Sequence, residues 1–573
     1  MQFLQPRELP GGRLLSVILP YTGTYGGGEL ISLDINNYID NTQATADNFG
    51  VLSGPAQESL LVNDVRTDGG ISPGGRFRSA WPLQDGSDRL LISWSECRLF
   101  EDPLIVPCTT ERLADPAAVP ADPLYGIFLY DLSSDTQLPV VVPEEGFTFS
   151  EVVATAPRPL PGIIFDRQVG IELDQQWVDE NVGVLNIRSV YDVDGMDTSV
   201  TGIAALADPA QTVAADRRAR FLRVVKAVSF PDNDALTVPF TAFGRSSQQL
   251  MREIIAYAPI QPDGSVRLKV PANVPLAISV VDENGRRIGG RHQNWLQVRP
   301  GETVSCTGCH DHASGIPHGH PEGPVSVHAG APATGQPFPN TLVTLPAIFG
   351  ESMAETLTRL DASQLDPSTD LVYEDLWTDE AAAGRLRDTT TTLAYADLQT
   401  AAPVSLSCLG DWDSLCRTVI NYEEHIHPLW GRDRDINTCT ACHTTVDAAG
   451  MDRVPDAQLD LTDGASQQVA AHFRSYRELL FGDFEEEVGA DGLQDIVLPG
   501  PIDPDTGLPT EIRIPVAPSM SASGARASTR FFTPFNPGES HEDRLDAAEL
   551  RLISEWLDIG AQYYNDPFAV PPN

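Results

Sequence analysis

Between Gly74 and Ser95 the chain reads GGRFRSAWPLQDGSDRLLISWS, two runs of alternating apolar and polar residues separated by a turn rich in Asp and Gly. A similar unit comes earlier, where PRELPGGRLLSVILP is followed by GGELISLDI, and YGIFLYDLSS supplies the last strand of the second copy. A Gly-rich turn, a strand, another turn and a second strand, repeated, predict β-propeller blades. Only about two or three blades fit in the first 165 residues, and a propeller needs at least four or so. The expectation for residues 1–165 is therefore a partial, propeller-like β domain.

From about Pro161 to Pro300 the pattern stays β-like. VGVLNIRSVYDV, ARFLRVVKAVSF, SVRLKVPANVPLAISVVDENGRRI and NWLQVRP alternate or run apolar, with PDG and ENG at the turns. These segments predict a β-sandwich middle domain over residues 166–300. Beyond it the period changes. ESMAETLTRLDAS, SYRELLFGDFEEE and DAAELRLISEWLDIGAQ read as helices set among Pro- and Gly-rich loops. In the last of them Asp546 and Glu549 form a capping box, Leu550, Ile553 and Leu557 a stripe, and Gly560 a stop. The fold class expected is mainly β, with an α-rich, irregular domain over residues 301–573.

At 573 residues the chain is too long for one core. Forty-six glycines and forty-six prolines agree with a turn-rich β body. Eighty acidic residues against thirty-eight basic ones give a net charge of −42, which argues against a nucleic-acid partner. Lysine occurs only at Lys226 and Lys269, so the positive charge is almost all arginine. No apolar run of eighteen residues exists, so no membrane span is expected. The opening MQFLQPRELPGGRLL has no basic start followed by an apolar stretch, so no signal peptide is visible in it.

The eight cysteines are of two kinds. Cys306-Thr-Gly-Cys309-His310 and Cys439-Thr-Ala-Cys442-His443 are both C-x-x-C-H, the attachment sequence of c-type haem. Two thiols at this spacing reach the two vinyl groups of one porphyrin, and the adjoining histidine falls under the iron as its proximal ligand. Zinc knuckles would need two C-x-x-C pairs brought together without obligatory histidines, and a thioredoxin-like dithiol would need a βαβ setting. Two covalently attached haem c groups are the expected cofactors. The other four cysteines form the local pairs Cys97 with Cys108 and Cys408 with Cys416. Haem c is attached outside the cytoplasm, where disulfides persist, so both pairs are expected to be disulfides and the location periplasmic or extracellular.

Several segments in matching order resemble the alpha-subunit family of hydrazine synthase and its relatives. They are GGRFRSAWPLQDGSDRLLISWSECRLF, PLYGIFLYDL, LQVRPGETVSCTGCH, INYEEHIHPLWGRDRDINTCTACH and ELRLISEWLDIGAQYYN. The resemblance implies a propeller-type amino-terminal domain, entered part-way by this chain, a β middle domain and a carboxy-terminal di-haem cytochrome c domain. It also implies that the first haem is the catalytic one in hydrazine synthase itself, with a tyrosine ligand four residues beyond the motif histidine and a zinc ion nearby. Ser314 stands at that position here and cannot replace a tyrosinate. Hydrazine synthesis is therefore not the expected activity.

For the second haem the resemblance implies a bis-histidine centre, with His443 proximal and His541 distal; Met520 is the alternative sixth ligand. For the first haem, Cys306, Cys309 and His310 leave the sixth ligand open. His425 is preferred on the resemblance, His427 is its neighbour, and His312, His318 and His320 are rivals that could instead hold a zinc ion with Asp311. Asp192-Val-Asp194-Gly195-Met-Asp197 resembles the start of a calcium loop, but no glutamate sits at the required distance and a solvated turn is preferred. His292, His328 and His472 are given ordinary surface or core roles.

The function expected is extracytoplasmic electron transfer by a di-haem c-type cytochrome. The alternatives are redox chemistry on a small substrate, nitrogenous or other, at the first haem, as a haem-dependent oxidoreductase, and a structural role in an extracellular cytochrome assembly. Expected partners are redox proteins, other cytochromes among them, and further copies of the chain in a homo-oligomer or filament.

Overall fold

A computed structural model of the chain describes all residues except 22, 24, 46–47, 49–53, 63, 156–161, 247–250, 312, 314–323, 505–506 and 571–573. Strand residues outnumber helical ones, 27% against 18%, so the protein is mainly β. Two compact units are formed, one from Met1–Phe165 with His310–Val325, the other from Asp166–Cys309 with Ser326–Asn573.

The first unit contains two four-stranded antiparallel sheets. Strands β1 (Gln2–Glu8), β2 (Leu14–Leu19), β3 (Glu29–Leu33) and β4 (Gln57–Ser59) pair in sequence order. Strands β5 (Arg76–Pro82) and β6 (Arg89–Ser95) begin the second sheet. The chain then makes a three-stranded excursion through β7 (Arg98–Glu101), β8 (Leu104–Pro107) and β9 (Val119–Pro120). It returns as β10 (Gly126–Asp131) and β11 (Thr136–Val141), giving the order β5-β6-β10-β11. Alternation explains the packing: Leu90 and Ile92 of β6, with Phe77 and Ala80 of β5, are buried against Leu15, Val17 and Leu30. The expected disulfide between Cys97 and Cys108 is present and ties the two ends of the β7–β8 hairpin.

In the second unit, β12 (Val182–Ile187) is followed by a short hairpin of β13 (Asp192–Val193) and β14 (Met196–Asp197), then by β15 (Phe221–Ala227), β16 (Arg252–Pro259), β17 (Val266–Pro271), β18 (Leu276–Val281) and β19 (Thr303–Cys306). Two three-stranded sheets result, β17-β12-β19 and β16-β15-β18. Leu185, Ile187, Leu222, Val224, Ile255, Leu268 and Leu276 fill the space between them. The opposite face of the second sheet is buried as well. Phe221, Val225, Ile254, Tyr257 and Val281 join a core with Trp430, Tyr476, Leu552 and Trp556 from the carboxy-terminal segment. Burial on both faces is why these strands read as nearly continuous apolar runs.

Three helices fall where the periodicity puts them. Met353–Leu360 and Ala547–Ile559 both begin with reciprocal capping boxes, Ser352 with Glu355 and Asp546 with Glu549. Gly560 ends the latter at φ 126°, a conformation that side-chain-bearing residues rarely adopt. The third helix is shorter than expected. It runs Arg474–Leu480, and the following GDFEEE enters strands at Asp483–Phe484 and Glu486–Gly489. Gly482 and a run of like charges give that segment little reason to extend the helix. Among the described residues no helix is long and apolar enough to cross a membrane.

Candidate functional site

The second C-x-x-C-H motif lies on a short helix, Cys439–Cys442, with His443 directly after it. His443 Nδ1 is 2.9 Å from the Asp456 carbonyl oxygen and 3.2 Å from that of Leu459. A ring nitrogen that donates to a carbonyl fixes the neutral tautomer and leaves Nε2 with its lone pair outward, the arrangement of a metal-ligating imidazole. Burial lowers the His443 pKa, which favours that neutral form.

His541 stands opposite. Its ring lies 6.1 Å from that of His443, centroid to centroid, with 27° between the planes. Two imidazoles bound on opposite sides of one metal ion, each with a metal–nitrogen bond of about 2.0 Å, have centroids about 6 Å apart. His541 Nδ1 is 2.8 Å from Ser540 Oγ, its backbone N–H donates to the Pro534 carbonyl, and its ring rests against Phe535. Both histidines and Cys439 line one cavity, which contains about 900 Å³ of space, part of it open to solvent. Trp430, Leu461, Phe481 and Phe531 give it apolar walls, and Arg530 and Arg544 place two cations on its border. Met520 does not line it; its side chain is buried in the adjoining core. The residues thus fit a flat apolar group carrying anionic edges and one metal ion.

The first motif is built differently. Strand β19 runs parallel to β12, pairing Ile187 with Cys306. Beyond it, Cys309 N–H donates to the Asp192 carbonyl at 2.7 Å and Asp194 N–H to the Cys309 carbonyl at 3.1 Å. Gly308 is required by this approach, since a Cβ there would sit 2.2 Å from the Asp192 carbonyl oxygen. Cys306 and Cys309 pack half-buried on the sandwich core. Burial, with Cys306 beside it, pushes the Cys309 thiol up to about 11. His310 is exposed and opens the segment assigned to the first unit. His312, Ser314, His318 and His320 lie outside the described residues.

His425 is buried in a single π-helical turn, Tyr422–Ile426, and its Nδ1 accepts the Asn421 backbone N–H at 3.0 Å. Its proton therefore sits on Nε2, and ligation through Nε2 needs this hydrogen bond to give way. His427 packs at a tilt against Phe473, and its Nδ1 is 2.9 Å from Ser475 Oγ, which accepts from Tyr422 OH. His328 pairs with the fully buried Asp263 at 2.7 Å, and His472 lies 2.6 Å from the Thr241 carbonyl oxygen. The calcium-like segment is the β13–β14 hairpin. The Asp192 carboxylate accepts from Gly195 N–H, Val327 N–H and the Ser326 hydroxyl, and that of Asp197 from Ser199 and Ile203 N–H. Cys408, Asp413 and Cys416 come within 4.8 Å of one another, but the two sulfurs form the second expected disulfide and offer no thiolate.

Sequence reasoning missed the cavity walls. Arg530, Arg544, Phe531 and Glu478 carry no motif, and only their placement around His443 and His541 singles them out.

Residues 217–311 match the family described as the hydrazine synthase alpha subunit middle domain. No match to the chain is found among curated proteins. Among solved structures the chain is similar to Kuenenia stuttgartiensis hydrazine synthase at 16% identity with a TM-score of 0.47. That similarity covers 99% of this chain and 62% of the other, so the chain spans less than two thirds of that relative's length. At residues 217–311 the chain thus carries a segment similar to the hydrazine synthase alpha subunit middle domain.

Proposed function

We propose that the protein is a di-haem c-type cytochrome that transfers electrons outside the cytoplasm. The observation that carries the reading is the facing pair His443 and His541, 6.1 Å apart across a cavity that also exposes Cys439. In this reading Cys439 and Cys442 would attach one haem, and His443 and His541 would hold its iron. Cys306, Cys309 and His310 attach the other, with His425 its candidate sixth ligand after a change of ring tautomer. Haem bound in this way supplies one-electron redox chemistry at low potential, since two imidazoles favour the oxidised iron more than a Met/His pair does. The carbonyls of Asp456 and Leu459 hold His443 in its ligating orientation, and Trp430, Phe481 and Phe531 give the cavity apolar walls.

Two disulfides support an oxidising compartment, hence the periplasm or the cell exterior. The two four-stranded meanders of the first unit support a reading as two propeller blades. Redox proteins, other cytochromes among them, are the proposed partners, and the acidic surface would favour a basic docking face.

The test is His541→Ala in the full chain matured with haem. Low-temperature EPR should show one low-spin ferric signal lost and a high-spin signal gained, with the other centre unchanged. An unaltered spectrum removes His541 as a ligand, and a chain that carries no covalent haem by intact mass removes the reading.

A further inference from the structure

A second cavity, away from both cysteine motifs, is lined by arginine. The turn after β18, the loop before Thr529 and the end of the last helix border about 810 Å³ of space, part of it open to solvent, lined by Arg287, Arg291, Arg526, Gly289, Gly524 and Asp558. Such a cluster is unexpected in a chain whose acidic residues outnumber the basic ones two to one.

The local charge does not balance. Asp558 is committed to Arg223 at 2.9 Å and also accepts the backbone N–H groups of Arg287 and Ala525. Arg526 pairs with Asp282 at 2.8 Å. Arg287 and Arg291 have no carboxylate ion pair among the described residues. Their guanidinium groups donate to backbone carbonyls, Arg287 to Gly289 and Ser523, Arg291 to Ala522 and Asp558. At the cavity wall itself, Arg287, Arg291 and Arg526 thus face one carboxylate, Asp558, with Asp282 paired to Arg526 beyond it. Arg252 and Arg286 stand close behind, and Glu283 is the further acid near Arg286. Burial and the two neighbouring arginines depress Arg252 to about 10, and Arg287 and Arg291 are depressed too, by burial and by other arginines. Asp558 offsets part of this for Arg287 and Arg291, and Asp282, Glu283 and Asp558 do so for Arg286, but among the described residues no carboxylate pairs directly with Arg287 or Arg291.

Space is kept open by glycine. A Cβ on Gly524 would lie 2.7 Å from Asp558 Oδ1 and 2.8 Å from an Arg287 guanidinium nitrogen, and none on Gly289 or Gly290 would touch anything within 4 Å. Backbone free of side chains beside planar guanidinium forks is the setting in which phosphate and carboxylate oxygens are bound.

We propose that this cavity is a binding site for a doubly charged oxyanion of the phosphate class, held by Arg287, Arg291 and Arg526. Two charges match the excess of two arginines over aspartates at the cavity. The site shares no residue with the His443–His541 cavity, so it stands or falls separately from the haem reading.

The test is titration of the full haem-loaded protein with inorganic phosphate, by calorimetry and thermal unfolding, against sodium chloride at equal ionic strength. Phosphate should bind one to one and raise the unfolding temperature, while chloride does not. Sulfate should compete, and phosphate monoesters competing more strongly than inorganic phosphate would identify an organic phosphate as the ligand. Arg291→Gln should weaken phosphate at least tenfold, and Arg526→Gln, at a largely exposed side chain, should weaken it without a folding defect. Equal effects of phosphate and chloride, or phosphate binding unchanged in Arg526→Gln and Arg291→Gln, would overturn the proposal.

Discussion

The carboxy-terminal helix is anchored by an ion pair with no access to water, and its worth can be worked out from its partners. Arg551 and Glu555 are both fully buried, with Arg551 Nε 2.8 Å from Glu555 Oε1. Arg551 also donates to the carbonyls of Thr369 and Leu393 and reaches Asp370 at 3.3 Å. Glu555 accepts from Tyr257 OH at 2.6 Å and from Tyr395 OH at 2.7 Å. Burial works against the Arg551 cation, yet Glu555 and the two phenols hold its pKa above the usual value. Replacing Glu555 by Leu removes one member of a buried pair, which costs about 3–5 kcal/mol. It also leaves two buried hydroxyls short of an acceptor, at about 1–3 kcal/mol each. All these contacts share one carboxylate and do not add fully, so the expected loss is about 4–6 kcal/mol. Adding Arg551→Met removes a buried cation left with only the more distant Asp370 as counter-charge and should restore about 2 kcal/mol or more, because an apolar pair can replace a buried ion pair at little cost. Urea unfolding read by tryptophan fluorescence suits the measurement, since Trp556 is fully buried in the same helix. A Glu555→Leu variant within about 1 kcal/mol of the parent, or a double variant no more stable than the single, would refute the reasoning.

Two further outcomes follow from local features. The Cys408–Cys416 disulfide closes a loop with a sequence separation of 8. Replacing both cysteines by serine should lower stability by about 2–3 kcal/mol, measured by the same urea unfolding; no change would show that the loop is already ordered without the bond. Asp263 is fully buried, and although burial opposes its charge, His328, Met353 N–H and Ser265 hold its pKa below the ordinary carboxylate value. A depressed carboxylate stabilises the fold above its unfolded pKa of about 3.9 and loses that contribution as pH falls through the folded value. Asp263→Asn should therefore lower stability at pH 7 and flatten its decline below about pH 4, and an acid-unfolding curve parallel to that of the parent would contradict this.

The residues proposed to attach haem are set locally, because C-x-x-C-H brings thiols and imidazole together through covalent spacing alone. The same is true of the capping boxes at Ser352 and Asp546 and of both disulfides, whose partners are close along the chain. Alternation and apolar runs indicated β12, β15, β17 and β18 of the sandwich, whereas β16 (Arg252–Pro259) and β19 (Thr303–Cys306) lie outside the segments they marked. The SYRELLFGDFEEE segment shows the limit of periodicity, because its second half pairs as strand with distant partners such as Val516.

What the tertiary structure decided lies between segments remote in sequence. His541 meets His443 because the loop before the last helix folds over the Cys439–Cys442 turn, and no local pattern fixes that path. Met520, the alternative sixth ligand in sequence, is buried in the adjoining core. Arg223, in an ordinary strand, becomes a fully buried cation through Asp558 on the last helix, and Arg287, Arg291 and Arg526 become a cationic cavity only when three segments converge. Sequence fixes chemistry within reach of a few bonds or one turn of regular structure. Which buried charges find partners, and which cavities stay open, depends on how the whole chain packs.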